Sequence, residues 1–154
     1  MDEITMNIAL GKLGGIAALA LAAIGSALGT GTAGAAAIGA WKKCYAQGKA
    51  APFTLLTFVG APLSQTIYGI VLMFSMNGAL KGEVSDGTGT LFLGAGILAG
   101  IGMGFSAWLQ GRAGAAGSDA QAETGEGFTN YLAALGIIET VAIFVMVFVM
   151  LAIK

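Results

Sequence analysis

There is no histidine among the 154 residues, only one cysteine and two prolines, and charged side chains make up just 10% of the chain. Each scarcity removes a class of function. With no imidazole and with Cys44 alone, metal centres built from histidine and cysteine are excluded, and so is a disulfide within the chain. A net charge of −1 offers no basic surface, so no nucleic acid is expected as a partner. A soluble domain carries about 25% charged residues. The deficit here, with 56% hydrophobic residues and a strongly positive mean hydropathy, describes a membrane protein. Glycine is what abounds, at 26 residues. In lipid, small residues let helices approach backbone to backbone, whereas a flexible linker of this glycine content would also be rich in polar residues.

Four long apolar segments can be laid out, at about 8–40, 53–80, 91–111 and 128–153. Each holds the ~20 residues that a helix needs to cross a ~30 Å hydrocarbon core. Strands are not expected, because the apolar runs are continuous rather than alternating and four of them cannot close a barrel. The start, "MDEITMN", carries two acids before any base, unlike a secretory signal, so the first segment is expected to stay in the mature protein. The expected fold is an all-α membrane protein of four transmembrane helices.

Lysine and arginine set the orientation. The loops around 41–52 and 112–127 hold Lys42, Lys43, Lys49 and Arg112, against Lys12, Lys81 and Lys154 on the other side. That balance predicts both loops in the cytoplasm and both termini outside. Trp41, beside Lys42 and Lys43, reads as an interfacial anchor.

The chain also repeats itself. "GTAGAAA" (31–37) aligns with "GRAGAAG" (111–117), and "QTIYGIV" (65–71) with "ETVAIFV" (139–145). Two parallel copies of one helical hairpin are expected, 1–80 and 81–154, since two crossings return the chain to its starting side. The alignment sets Glu139 against Gln65, so one hairpin keeps a carboxylate and the other an amide. Glu139 stands inside the most hydrophobic stretch, "GIIETVAIFVMVFVMLAIK" (136–154), and no other acid lies deep in an apolar run. A charge at the bilayer centre costs about 2.5–3.5 kcal/mol on insertion scales and marks a functional site by default.

Candidate partners for this carboxylate lie on two other segments. In "GAPLSQTIYG" (60–69), Ala61, Ser64, Gln65 and Tyr68 stand at i, i+3, i+4 and i+7, on one helix face. Pro62 lacks an N–H and leaves carbonyls near Phe58 and Val59 without their helical donor. The third segment contributes Gln110, in "AWLQGR" (107–112). One carboxylate, two amide oxygens, a hydroxyl and a freed carbonyl make an all-oxygen set suited to a hard cation, and Tyr68 is placed to donate to Glu139. Plainer roles compete. A lone serine in a membrane helix commonly bonds back to its own backbone, and a lone glutamine is often interhelical glue worth about 0.6 kcal/mol. The methionines read as core filler. "GTGTAG" (29–34) matches a dinucleotide fingerprint but follows no strand and precedes no suitably spaced acid. Gly25 and Gly29 in the first segment, and Gly96, Gly100 and Gly104 in the third, have the small-xxx-small spacing of close helix packing.

The duplicated hairpin, "PLSQTIYG" (62–69), "LQG" (109–111) and "IIET" (137–140) resemble the membrane rotor-ring proteolipid of V-type (vacuolar/archaeal-type) ATPases, in its sixteen-kilodalton bacterial and archaeal form. The resemblance covers the whole chain. It implies a closed ring of identical copies, with the glycine-rich helices inside and the second and fourth helices outward. It also implies partners: a stator subunit supplying a cationic residue, a central-stalk subunit on the cytoplasmic face, and membrane lipid. The implied location is multi-pass in a prokaryotic cell membrane. ATP hydrolysis in a separate head would turn the ring, so no enzymatic activity and no tightly bound cofactor are expected of this chain. Each copy would carry Na+, or H+, on its glutamate. In sodium-binding members the matching positions here are Glu139, Gln110, Gln65, Ser64 and the carbonyl of Ala61, with Tyr68 locking the site. Ser64 departs from the commoner threonine, keeping the hydroxyl and losing a methyl. A proton carrier needs no extra amide oxygens, so Na+ is favoured.

Two other classes compete with a rotor. A small proton-coupled secondary transporter would use Glu139 too, but such proteins often have inverted rather than parallel repeats. A structural pore-forming oligomer would leave the polar set without a purpose.

Overall fold

A computed structural model describes residues 2–82 and 84–153; Met1, Glu83 and Lys154, the last counted above with the outer charges, lie outside the described residues. All regular structure among the described residues is helical: α1 (Glu3–Ala46), α2 (Leu55–Gly60), a 3₁₀ turn (Ala61–Leu63), α3 (Ser64–Ala79), α4 (Thr88–Thr124) and α5 (Phe128–Ala152). Four stretches are long and apolar enough to cross a membrane: α1, α4, α5 and the combined span Leu55–Ala79.

Two of the four expected segments need their far ends corrected. The segment expected to end near residue 40 continues as α1 to Ala46, and the one expected to end near 111 continues as α4 to Thr124. Most of the expected loops 41–52 and 112–127 is therefore helix. No proline interrupts either stretch before Pro52, and their Ala, Lys and Gln are good helix formers, so the ladder runs on past the apolar core. At 1.5 Å per residue α1 is about 66 Å long and α4 about 55 Å, well beyond a ~30 Å core. On these extensions Lys43 Nζ stands 3.4 Å from Glu123 Oε1, an exposed pair worth at most about 1 kcal/mol. Trp41 Nε1 donates to the Pro52 carbonyl at 2.8 Å, pinning the turn after α1. Between α4 and α5 the chain reverses over Gly125 and Gly127, with φ of 74° and 83°. Glycine takes this left-handed conformation without steric cost.

The most extensive packing joins α1 to α4, the glycine-rich helix of one half to that of the other. A Cβ added at Gly25 would land on the Gly104 backbone, at Gly96 on the Gly14 carbonyl and at Gly111 on Gly29. At Gly100 it would come within 2.8 Å of the Leu21 Cβ and 2.9 Å of the Ala17 oxygen. The small-xxx-small spacing is thus used for backbone contact, as expected. The fingerprint "GTGTAG" lies wholly inside α1, with no strand before it.

The start of α4 has no side-chain cap of its own. Instead Asn7 of α1 accepts a hydrogen bond from Gly89 N at 3.0 Å, in a buried contact. The outer helices lie against the α1–α4 pair, α3 on α1 and α5 on α4. Two apolar clusters result: one around Leu72, Met76, Phe92, Met103 and Ala142, the other around Leu55, Phe58 and Leu135. Met76 and Met103 are fully buried, the filler role expected of them. α5 buries only Leu135 and Ala142, leaving Ile137, Phe144, Phe148 and Leu151 exposed to lipid or to another chain.

Candidate functional site

A polar layer separates the two apolar clusters. It begins at Pro62, which sits in the 3₁₀ turn and so lets the span tighten between Gly60 and Ser64. The Phe58 carbonyl, four residues before the proline, faces the bare Cα of Gly114, where an added Cβ would stand 2.8 Å from it. Just past the turn, Ser64 Oγ lies 3.0 Å from the Ala61 carbonyl and 3.2 Å from Gln65 Oε1. The back-bond to the helix expected of a lone serine is present, and so is a second acceptor.

Gln65 is fully buried and points from α3 into α4. Its Nε2 donates to Gln110 Oε1 at 2.9 Å and to Ser106 Oγ at 3.3 Å. Gln110, also fully buried, donates through Nε2 to the Leu135 carbonyl at 3.1 Å and to Glu139 Oε2 at 3.3 Å. Tyr68 Oη donates to Glu139 Oε1 at 2.5 Å. Both carboxylate oxygens are therefore held by donors, one from α3 and one from α4, at the middle of α5. Thr140, beside Glu139, is turned away and bonds back to the Ile137 carbonyl at 2.7 Å.

The structure thus joins Ser64, Gln65, Tyr68, Gln110 and Glu139 in one hydrogen-bonded group, with the Ala61 carbonyl attached through Ser64. Sequence reasoning missed one member. Ser106, 4% exposed, accepts from Gln65 Nε2 and donates to the Ile138 carbonyl at 2.9 Å. A signal was present, since Ser106 stands one turn before Gln110 on the same face of α4.

Counting lone pairs and protons shows what the group can do. Both N–H bonds of each amide are committed, and so is the Ser106 proton. The Ser64 hydroxyl has one proton for two acceptors. Gln65 Oε1, Ser64 Oγ, the Ala61 carbonyl and the carboxylate therefore keep lone pairs to offer. Gln110 Oε1 receives Gln65 and retains its second lone pair. Such a set is chemically suited to a dehydrated hard cation or a proton, and contains no soft ligand.

A family model describing the C subunit of ATP synthase matches residues 93–152. No match to a curated protein was found. The matched stretch carries Ser106, Gln110 and Glu139, while Ser64, Gln65 and Tyr68 lie outside it. The match makes this stretch, less than half of the chain, similar to the C subunit of ATP synthase.

Proposed function

We propose that this chain is the ion-carrying rotor-ring subunit of a V-type rotary ATPase and that its cargo is Na+, taken up at Glu139. One observation carries the reading: two buried amides, from α3 and α4, converge with the one carboxylate that lies deep in an apolar run. A proton carrier needs the acid alone. Two glutamines, Ser64 and the Ala61 carbonyl add the neutral oxygens that replace the water around a metal ion.

Turning the ring requires Glu139 to pass lipid in a neutral state. An empty carboxylate facing hydrocarbon is costly, while the ion-loaded or protonated form passes cheaply. Tyr68 donates to the carboxylate and holds it toward α3 and α4 rather than outward. Release of the ion needs a cation on another subunit to face the emptied carboxylate, since the polar layer itself contains no Arg or Lys. Identical copies complete the ring, with α5 as the outward helix. The ends of α1 and α4, with the turns that follow them, face the cytoplasm and dock the central stalk.

Sodium-22 binding to the purified oligomer, at several pH values, tests the cargo. We expect saturable binding that weakens as pH falls, because protons and Na+ compete for one carboxylate. Absence of binding at every pH means that the ring carries protons. A size measurement in mild detergent tests the assembly: a large closed ring is expected, and a dimer points to a small transporter instead.

A further inference from the structure

We infer that Ser106 is a positioning residue that decides which end of the Gln65 amide faces the cation. The inference rests on the sodium reading above and adds to it a residue outside the expected ligand set.

A glutamine amide has two nearly isosteric ends, one an acceptor and one a double donor. Only the oxygen end helps a cation; turned over, the same side chain points N–H groups at it. At Gln65 the orientation is dictated by what lies behind the amide. Behind it stand Gln110 Oε1 at 2.9 Å and Ser106 Oγ at 3.3 Å. Gln110 can show only oxygen there, because its own nitrogen is held by the Leu135 carbonyl and Glu139. Ser106 is less constrained in principle, since a hydroxyl rotates and can donate or accept. Here its proton goes to the Ile138 carbonyl at 2.9 Å, which leaves only lone pairs toward Gln65. A reversed amide would set its oxygen against two oxygens with no proton between them.

Polarity is thus relayed along a chain of bonds: from the Ile138 carbonyl to the Ser106 hydroxyl, to Gln65 Nε2, and so to Gln65 Oε1 beside Ser64. Ile138 is the residue before Glu139, so the same hydroxyl ties the backbone carrying the acid to the amide carrying a neutral ligand. Ser106 and Gln65 are both more than nine-tenths buried, where hydrogen bonds are strong and unpaired groups costly. With alanine at 106, one of the two acceptors behind the amide disappears. The reversed orientation becomes accessible, and the cation loses an oxygen for part of the time. The carboxylate keeps Tyr68 and Gln110 in either case.

The test measures protection of Glu139 by Na+ against a hydrophobic carbodiimide in purified rings of wild type, Ser106→Ala and Ser106→Thr. For Ser106→Ala we expect the half-protecting Na+ concentration to rise about 10-fold, the lower end of what loss of a supporting partner does to metal affinity. The pH profile of labelling in sodium-free buffer should stay with wild type. Ser106→Thr restores the hydroxyl and should return protection to within about 3-fold of wild type, allowing for packing of the added methyl. If alanine rings do not assemble, Ser106→Cys replaces them, since a thiol keeps the volume with a much weaker acceptor. Wild-type protection in Ser106→Ala overturns the inference alone. Equal losses in the alanine and threonine variants also overturn it, because volume and not the hydroxyl is then at work. A shifted sodium-free profile does the same by moving the effect to the carboxylate. No protection in wild type overturns the sodium reading itself, and this inference with it.

Discussion

Carried back five residues, the match of Gly31 with Gly111 pairs Ser26 with Ser106, and it also pairs Thr30 with Gln110. The paired residues live in different surroundings. Ser106 is bonded on both sides, to Gln65 and to the Ile138 carbonyl. Ser26 is 2% exposed, and its hydroxyl has no partner among the described residues. Gln110 reaches across to α5, whereas Thr30 bonds back to the Ser26 carbonyl at 2.8 Å. On α4 these two polar groups are turned outward into a network; their α1 counterparts are folded back or orphaned. Where the second half has Glu139, the first has Gln65, and that amide is spent on the second half's network. Two copies of a hairpin therefore build one site, with α3 lending its ligands to the helices of the other half.

The largest test of this asymmetry removes its only charge. Glu139→Gln makes the halves alike at this one pair and should abolish coupled ion transport while leaving the ring assembled, because the amide preserves volume. Transport assayed in proteoliposomes against ring integrity in detergent reads both, and residual coupled transport refutes the assignment.

Next in size is the contact that holds the halves together. Gly29→Leu and Gly100→Leu drive a side chain into backbone and Cβ atoms of the opposite helix, at Ala107 and at Leu21. Overpacking of this kind costs about 1–3 kcal/mol and occasionally more. With backbone in the way, neither variant should yield rings by size in mild detergent. Intact rings from both would mean that the two inner helices do not need their glycines.

A smaller effect separates the two amides. Gln65→Leu and Gln110→Leu should each weaken Na+ protection of Glu139 about 10- to 100-fold, the range for a metal-supporting partner. Only Gln110→Leu also strips a donor from Glu139, so only it should alter carbodiimide labelling in sodium-free buffer. Identical sodium-free labelling in the two variants would place the amides in equivalent roles.

Smallest of all is the orphan hydroxyl. An unsatisfied buried polar group carries a penalty of about 1–3 kcal/mol, so Ser26→Ala should leave sodium protection unchanged and raise the ring's melting temperature slightly. A loss of stability would show that Ser26 does have a partner in the assembled ring.

Much of this protein could be read in its residues. Charge scarcity and four continuous apolar runs specify a helical membrane protein, because in lipid each backbone polar group must be satisfied within its own segment. Glycines four apart specify close helix contact, and a single acid in an apolar run specifies the site. Helical spacing also brings Ala61, Ser64, Gln65 and Tyr68 to one face. Tertiary structure decided the rest. The extension of α1 to Ala46 and of α4 to Thr124 escapes hydropathy, which follows the solvent and not the hydrogen-bond ladder. That α1 packs chiefly on α4 depends on contacts between halves far apart in sequence. The role of Ser106 depends on a proton's direction, set by a carbonyl of α5. A serine's identity leaves that direction open, because its hydroxyl both donates and accepts, and only its neighbours in space choose between the two.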